Sequence, residues 1–487
     1  MTRLFTLLTV SALLSMICFS VQAQKSDQPD VLFISIDDLN DWVGPLGGHP
    51  QAKTPNIDRL AAQGIVFTNA YAPAALCNPS RAAIMTGISP SSSGVYHNGT
   101  DWRETKRLTG IPTIPRYFKD NGYRSAGAGK LFHSSTYNAW AYFGYNDLTA
   151  WDAYFPSLER QLPDEPTPHD RPVNGSPLSE KFDWSAVSTT DMAMGDGQVV
   201  TWSVEQILAK SNAPKFNAVG IYRPHLPWYL PQKYFDMYPL EDIVLPTVLE
   251  NDLDDIPELF IQRGRSGGDL SPMAIHDWIV EDETKGRWRE GVRAYLASIS
   301  FADAMLGHLL DALEQSGRAD NTIIVLWSDH GWHLGEKARW RKETLWREST
   351  HVPLIVVAPG ITQAGSTSSA TVSLMDIYPT MVELAGLDMP EHPEGISLVP
   401  LLKDPAAEWD HAAISTSGFG NHAVSTNRYR YIRYSDSTEE LYDLDSDPNE
   451  WHNLADDPKL DKVIEELAAL LPKHDEPVDQ SADRNTD

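Results

Sequence analysis

The chain has 487 residues, 41% of them apolar, and a formal charge of −28. That length supports one large core and a second, smaller one. The charge argues against nucleic acid or anionic lipid as a partner, since both need a basic face, but leaves room for an anionic substrate in a locally cationic pocket. The 15 Trp and 18 Tyr suit sugar-stacking platforms as well as ordinary core packing.

Arg3, the apolar run from Leu4 to Val21 and the small-residue pattern Val21-Gln22-Ala23 read as a signal peptide over residues 1–23. Cleavage there removes Cys18. Ile17 ahead of Cys18 disfavours a lipid anchor, and the run is short for a membrane span. No later segment reads as long and apolar enough to cross a bilayer. The expectation is a periplasmic or secreted protein without a membrane anchor, keeping Cys77 as its one cysteine.

Asp30 to Ile36 is a continuous apolar, β-branched run and predicts a buried strand of a parallel sheet, ending in Asp37-Asp38. Thr54-Pro55-Asn56 starts a helix that stops by Gly64, and Ile65-Val66-Phe67 opens another strand. Ser80 to Met85 reads as helical, with its first amides facing Cys77. Further strands are predicted at Ser125–Ala128, Phe216–Ile221, Thr322–Trp327 and Leu354–Val357, separated by helices that include 291–315 and 375–385. The Pro-rich stretch 156–177 reads as a surface excursion, and acidic 251–283 as an inserted loop near the cleft mouth. Four short strands between 412 and 444 and a helix over 460–471 form a different pattern. The expected fold is α/β: a large, mainly parallel sheet sandwiched by helices, followed by a smaller antiparallel sheet with a packed helix. Domains are drawn at 24–390 and 391–475, with 476–487 as a disordered tail.

Chemistry concentrates where strands end. Two adjacent carboxylates, Asp37 and Asp38, repel; they either cap a loop or are held together by a cation. Ser328-Asp329-His330-Gly331 follows another buried strand in the same manner. Carboxylate oxygens favour Ca²⁺ or Mg²⁺, whereas His330 leans towards a transition metal. An unpaired thiol in an exported chain is either a small buried hydrophobe or a chemical group, and Cys77 stands in Cys77-Asn78-Pro79-Ser80-Arg81, with Thr86-Gly87 beyond.

That run resembles the C-x-P-S-R…T-G signature of the formylglycine-dependent (type I) sulfatases, with Ile84 where Leu is more usual. Gly129-Lys130-Leu131-Phe132-His133, Arg223-Pro224-His225-Leu226-Pro227, Ser328-Asp329-His330-Gly331-Trp332, Arg341-Lys342 and His351-Val352-Pro353-Leu354-Ile355 follow in order. That order is similar to iduronate-2-sulfatase-like members of the alkaline phosphatase-like superfamily, and the tail block Glu440-Leu441-Tyr442-Asp443-Leu444 extends the likeness. The resemblance implies that Cys77 is oxidised to formylglycine by a formylglycine-generating or anaerobic sulfatase-maturating enzyme. One hydroxyl of the aldehyde hydrate would attack sulfur and the other would expel sulfate. It also implies that Asp37, Asp38, Asp329, His330 and the modified Cys77 hold Ca²⁺, in preference to Mg²⁺. Arg81, Lys130 and Lys342 would neutralise the transferring group, with Arg341 and Arg339 competing for the place of Lys342. His225 would act as the acid and His133 as the base.

The substrate so implied is a sulfated carbohydrate, a glycosaminoglycan or an algal polymer such as ulvan. His97, Asn98 and Trp102 either line its subsite or are ordinary loop residues; the resemblance does not reach them. His351 reads as a packed residue at a strand head. The competing readings are a phosphomonoester or phosphonate hydrolase of the same fold and a catalytically inactive carbohydrate-binding protein.

Overall fold

A computed structural model describes residues 28–133, 144–163, 166–265 and 271–482. The signal-peptide reading of residues 1–23 and the tail residues 483–487 lie outside them. The large sheet consists of β1 (Asp30–Ile36), β2 (Ile65–Tyr71), β3 (Arg124–Gly129), β4 (Ala153–Phe155), β5 (Lys215–Ile221), β6 (Thr322–Ser328), β7 (Leu354–Val357) and β8 (Ser366–Ser373). Their spatial order is β8-β2-β7-β6-β1-β5-β3-β4, and every neighbouring pair is parallel except those made by β7. β1 sits at the centre, paired with β5 on one side and β6 on the other.

All seven β1 residues are buried, which a strand without polar alternation requires. The pleat divides them between two cores. Val31 and Phe33 face the helix Cys77–Thr86 (α2) and a later helix at Ile377–Leu384; Leu32, Ile34 and Ile36 face Gly195–Leu208 (α3) and Gly286–Ser316 (α4). The remaining early helix, α1, spans Pro55–Ala61. Leu398, Val399, Leu401 and Leu402 join the core beside α2, so residues beyond 390 still serve the large sheet.

Three expectations are corrected. β8 escaped the sequence reading because this Ser/Thr-rich edge strand alternates between buried and exposed residues and carries few apolar ones. The stretch 251–283 is not a plain loop: it contains helices Glu258–Arg265 and Pro272–Val280, and Ile275 and Ile279 enter the main core. Finally, α4 is long and apolar enough to cross a membrane by length and composition. Its apolar surface is instead spent inside, with 83% of the relevant window buried.

The C-terminal sheet is an antiparallel meander of β9 (Ala413–Thr416), β10 (His422–Ser425), β11 (Tyr429–Arg433) and β12 (Glu439–Asp443). One face packs on helix Asp461–Ala468; the other meets Trp346 and Phe260. β9 is stapled to the segment leading into Cys77: Thr416 N donates to Pro73 O at 2.9 Å and Ser415 Oγ to Ala72 O at 2.6 Å. Residues 476–482, expected to be part of a disordered tail, follow a defined path across the large domain. Glu476 N donates to Ser91 O, and Asp101 N donates to Ala482 O.

Glu440 joins the two units through three buried donors: Trp346 Nε1 at 2.8 Å, Tyr434 OH at 2.6 Å and Tyr442 OH at 2.5 Å. Glu440→Ala strands all three. With roughly 1–3 kcal/mol for each unsatisfied buried group, a loss of at least ~3 kcal/mol is expected, read from the urea midpoint of unfolding.

Candidate active site

Parallel strands deliver their following loops to one edge, and here four such loops and one helix converge. Asp37 and Asp38 follow β1, Lys130 and His133 follow β3, His225 follows β5, and Asp329 and His330 follow β6. Helix α2 begins at Cys77 itself, one turn earlier than the sequence reading placed it. Asp37, Asp38, Cys77, Arg81, Lys130, Asp329 and His330 all have no exposed surface. Asp38 adopts a left-handed backbone (φ 57°), which costs a non-glycine residue roughly 1 kcal/mol. Three bonds hold it there: Asp38 N donates to Asp329 Oδ1, Leu39 N to Ser328 Oγ, and Tyr295 OH to Asp38 O at 2.7 Å.

Three cations and three carboxylates interlock around the Cys77 sulfur. Arg81 Nε donates to Asp329 Oδ2 at 2.8 Å and its Nη2 to Asp37 Oδ1 at 3.0 Å, so one guanidinium fork joins the loops after β1 and β6. Lys130 Nζ pairs with Asp37 Oδ2 and stands 3.9 Å from the sulfur. Lys342 Nζ donates to Asp38 Oδ1 at 2.7 Å and approaches the sulfur to 3.0 Å. Lys342 thus reaches the centre, whereas the Arg339 guanidinium lies over Phe260.

Asp37, Asp38, Cys77 and His330 each offer a ligand atom, all within 4.8 Å of one another. Two observations test whether a cation fits. Asp38 Oδ2 is buried without a hydrogen-bond partner. His330 Nδ1 donates to Gly331 O at 3.0 Å, which turns its Nε2 into the cluster, 3.2 Å from the Cys77 sulfur and 3.4 Å from Asp38 Oδ1. The residues therefore fit a hard or borderline divalent ion. Asp329 is engaged more fully, its Oδ2 by Arg81 and its Oδ1 by two backbone amides.

Burial and charge oppose each other throughout. Burial would raise the Cys77 thiol, but Lys130, Lys342 and His330 hold it well below its usual range. Asp37 is likewise desolvated, yet Lys130 and Arg81 keep it below the usual carboxylate range. Burial lifts Asp329 to about 7 against the pull of Arg81. His330 is carried up to about 9, desolvation being outweighed chiefly by Asp329.

His133 is electrostatically coupled to Cys77, burial holding its imidazole below the usual range, and its ring lies 5.9 Å from that of Tyr145. His225 sits at the rim with about a quarter of its side chain exposed; its Nε2 is 3.9 Å from Asp38 Oδ2 and its Nδ1 is bonded to Leu226 O. Asn98 reaches α2, accepting from Asn78 N at 3.0 Å, and His97 is exposed beside it. Trp102 is a core side chain instead, stacked on Phe132 and donating to Tyr145 O. His351 is packed between Asp41 and Thr68 O.

The sequence reading missed Asp196. Its oxygens accept from Tyr222 N and Arg223 N and so hold the His225 loop; the signal was an acid in the first turn of α3. It also missed Tyr295, which acts from the middle of α4.

The Sulfatase family model matches residues 29–387, and the model for the N-sulphoglucosamine sulphohydrolase C-terminal region matches 335–476. The chain belongs to the sulfatase family. It is a hydrolase of sulfate esters, and the sulfatase signature around Cys77 stands at the geometric centre of its buried charges. A sulfatase of Formosa agariphila is 41% identical over 97% of this chain and 92% of its own. Human iduronate 2-sulfatase is 31% identical, covering 79% of this chain and 74% of its own. Among solved structures, the phosphonate monoester hydrolase of Agrobacterium radiobacter superposes with a TM-score of 0.74 at 23% identity, over 91% of this chain and 94% of that one; it shares the fold.

A divalent cation titrated into chelator-stripped protein is expected to raise the melting temperature, the gain at 100 Kd being ~2.7 kcal/mol for binding to the folded state only. Asp38→Asn, which removes the charge of the unsatisfied ligand, is expected to abolish that rise in a thermal-shift titration.

Proposed function

We propose that this sulfatase is exported and removes sulfate from a sulfated carbohydrate, with residue 77 matured to formylglycine and a Ca²⁺ ion held by Asp37, Asp38 and His330 beside Asp329. One observation carries the reading: the sole thiol of the described residues lies between two lysines and an imidazole, against an unsatisfied carboxylate. The matured side chain would supply a hydroxyl nucleophile, and the ion would supply charge for sulfate oxygens.

This chain's own residues do the rest. The three carboxylates and three basic side chains cancel, so the centre takes a divalent cation together with an anion rather than either alone. Lys130 and Lys342 are aimed at residue 77 while anchored to Asp37 and Asp38, and face the charge that develops on a transferring sulfuryl group. His225 Nδ1–H is committed to Leu226 O, so its Nε2 is the nitrogen that can carry a proton to the departing sugar oxygen. His133 stands on residue 77 and serves as the base. Burial excludes bulk water from this layer, and the partly exposed His225 marks where the substrate enters.

The sugar class draws on what the relatives are called: iduronate is the substrate sugar in the human relative's name, and a 28% identical F. agariphila relative is an ulvan-active sulfatase. Export draws on the residues before Asp30. A phosphonate hydrolase with the same fold makes the leaving anion the point to test.

Protein expressed beside a maturation enzyme is expected to have residue 77 changed by the exchange of one sulfur and two hydrogens for one oxygen in its intact mass. It should release sulfate, not phosphate, from a panel of defined sulfated and phosphorylated oligosaccharides. Cys77→Ser should lose turnover by ~10⁴-fold or more, as removal of a catalytic nucleophile does; full turnover would sink the assignment. His225→Gln is expected to slow release from sugar sulfates by about 10²–10⁴-fold, the range of general-acid catalysis. An aryl sulfate, whose phenolate leaves without help, should lose much less.

A further inference from the structure

We propose that the C-terminal segment from Asp475 to Ala482 is a strap that positions the loop at residues 95–101 beside residue 77 and thereby sets how tightly substrate is held. The inference rests on the function proposed above. Helix α2 opens at Cys77, and its first amides have no partners within the helix. Leu76, at the cap position, makes no side-chain hydrogen bond. The partner comes from elsewhere in the chain. Asn98 Oδ1 accepts from Asn78 N at 3.0 Å, while Asn78 Nδ2 donates to His97 O at 2.9 Å and Thr100 O at 2.7 Å. The loop and the residue after the nucleophile are thus tied by three bonds.

The loop is in turn held from outside by the tail. Asp101 N donates to Ala482 O at 2.7 Å. Tyr96 OH donates to Glu476 O at 3.0 Å, with Asp475 Oδ1 at 3.4 Å, and its ring meets Phe419 edge-on. Arg107 pairs with Glu476 at 2.7 Å, and Glu476 N donates to Ser91 O. His422 pairs with Asp475 at 3.1 Å, which anchors the strap's start to the C-terminal sheet. At Gly94 the approach is so close that a Cβ would fall 2.7 Å from Pro477 O. The strap therefore bridges the small sheet and both ends of the loop.

The reacting groups are held differently. Lys342, Lys130, Arg81 and His330 are fixed by Asp37, Asp38 and Asp329 within the sheet edge. Loss of the strap should consequently act on binding rather than on the chemical step. His97 and Asn98 are the loop residues with exposed surface next to α2, and they move with it. Tyr96, Asp475 and Glu476 are positioning residues in this scheme.

The test compares the matured full chain with one ending at His474, using p-nitrophenyl sulfate and a sulfated uronate-containing disaccharide. With the strap gone, KM for the disaccharide is expected to rise about tenfold, the factor that one or two net hydrogen bonds carry. The kcat should stay within about twofold, since the interaction lost is not specific to the transition state. Amide exchange at Asn78 and Asp101 should accelerate. A tail with a merely structural role would lower the melting temperature and leave KM unchanged, and that result overturns the proposal. Should the shortened chain fail to fold, Tyr96→Phe combined with Arg107→Ala decides: a raised KM supports the strap and an unchanged one rejects it. If the full matured chain releases no sulfate from either substrate, the proposed function fails by itself. Exchange then judges the strap, and unaltered protection at Asp101 rejects it.

Discussion

The fork of Arg81 between Asp37 and Asp329 is the contact on which the rest of this structure depends. A guanidinium with no exposed surface is costly to bury, and it is tolerable only where both halves of its fork meet carboxylates. Those carboxylates come from loops after β1 and β6, adjacent strands in register. The sheet therefore sets the spacing of the two acids, and the arginine locks it. Because Arg81 lies one turn along α2 from Cys77, the same contact aims the helix start at Asp37, Asp38 and His330, the candidate metal group.

Charge balance then governs what the centre accepts. Lys130 and Lys342 answer Asp37 and Asp38, which leaves a nearly neutral cluster in a water-poor environment. Electrostatic interactions there are stronger than at the surface, and any unpaired ion is heavily penalised. A dication and an anion entering together satisfy that constraint. The unsatisfied Asp38 Oδ2 is the visible mark of it.

The small C-terminal sheet is part of this arrangement rather than an appendage. β9 bonds the segment that leads into Cys77, Ser417 Oγ donates to the carbonyl of Glu343 next to Lys342, and the strap bonds the loop that caps α2. Three separate approaches to residue 77 thus pass through residues that follow the large sheet in the chain. Rigidity at residue 77 is a property of both units together.

The sequence by itself determined the central strands, because continuous apolar runs such as Asp30–Ile36 can only be covered on both faces. It likewise placed acidic and basic side chains at strand ends, where a parallel sheet builds its sites, and its signature around Cys77 pointed to the family. The Ser/Thr-rich edge strand β8 and the helices within 251–283 were not legible, since their fit depends on what covers them. Nor was it legible that Trp102 is core, that Asp196 and Tyr295 brace the site loops, or that Asp475–Ala482 is ordered. Only the tertiary structure decided these, together with the choice of Lys342 over Arg339. Hydrogen bonds between residues hundreds of positions apart leave no local pattern, and they exist only once the sheet has brought its edges together.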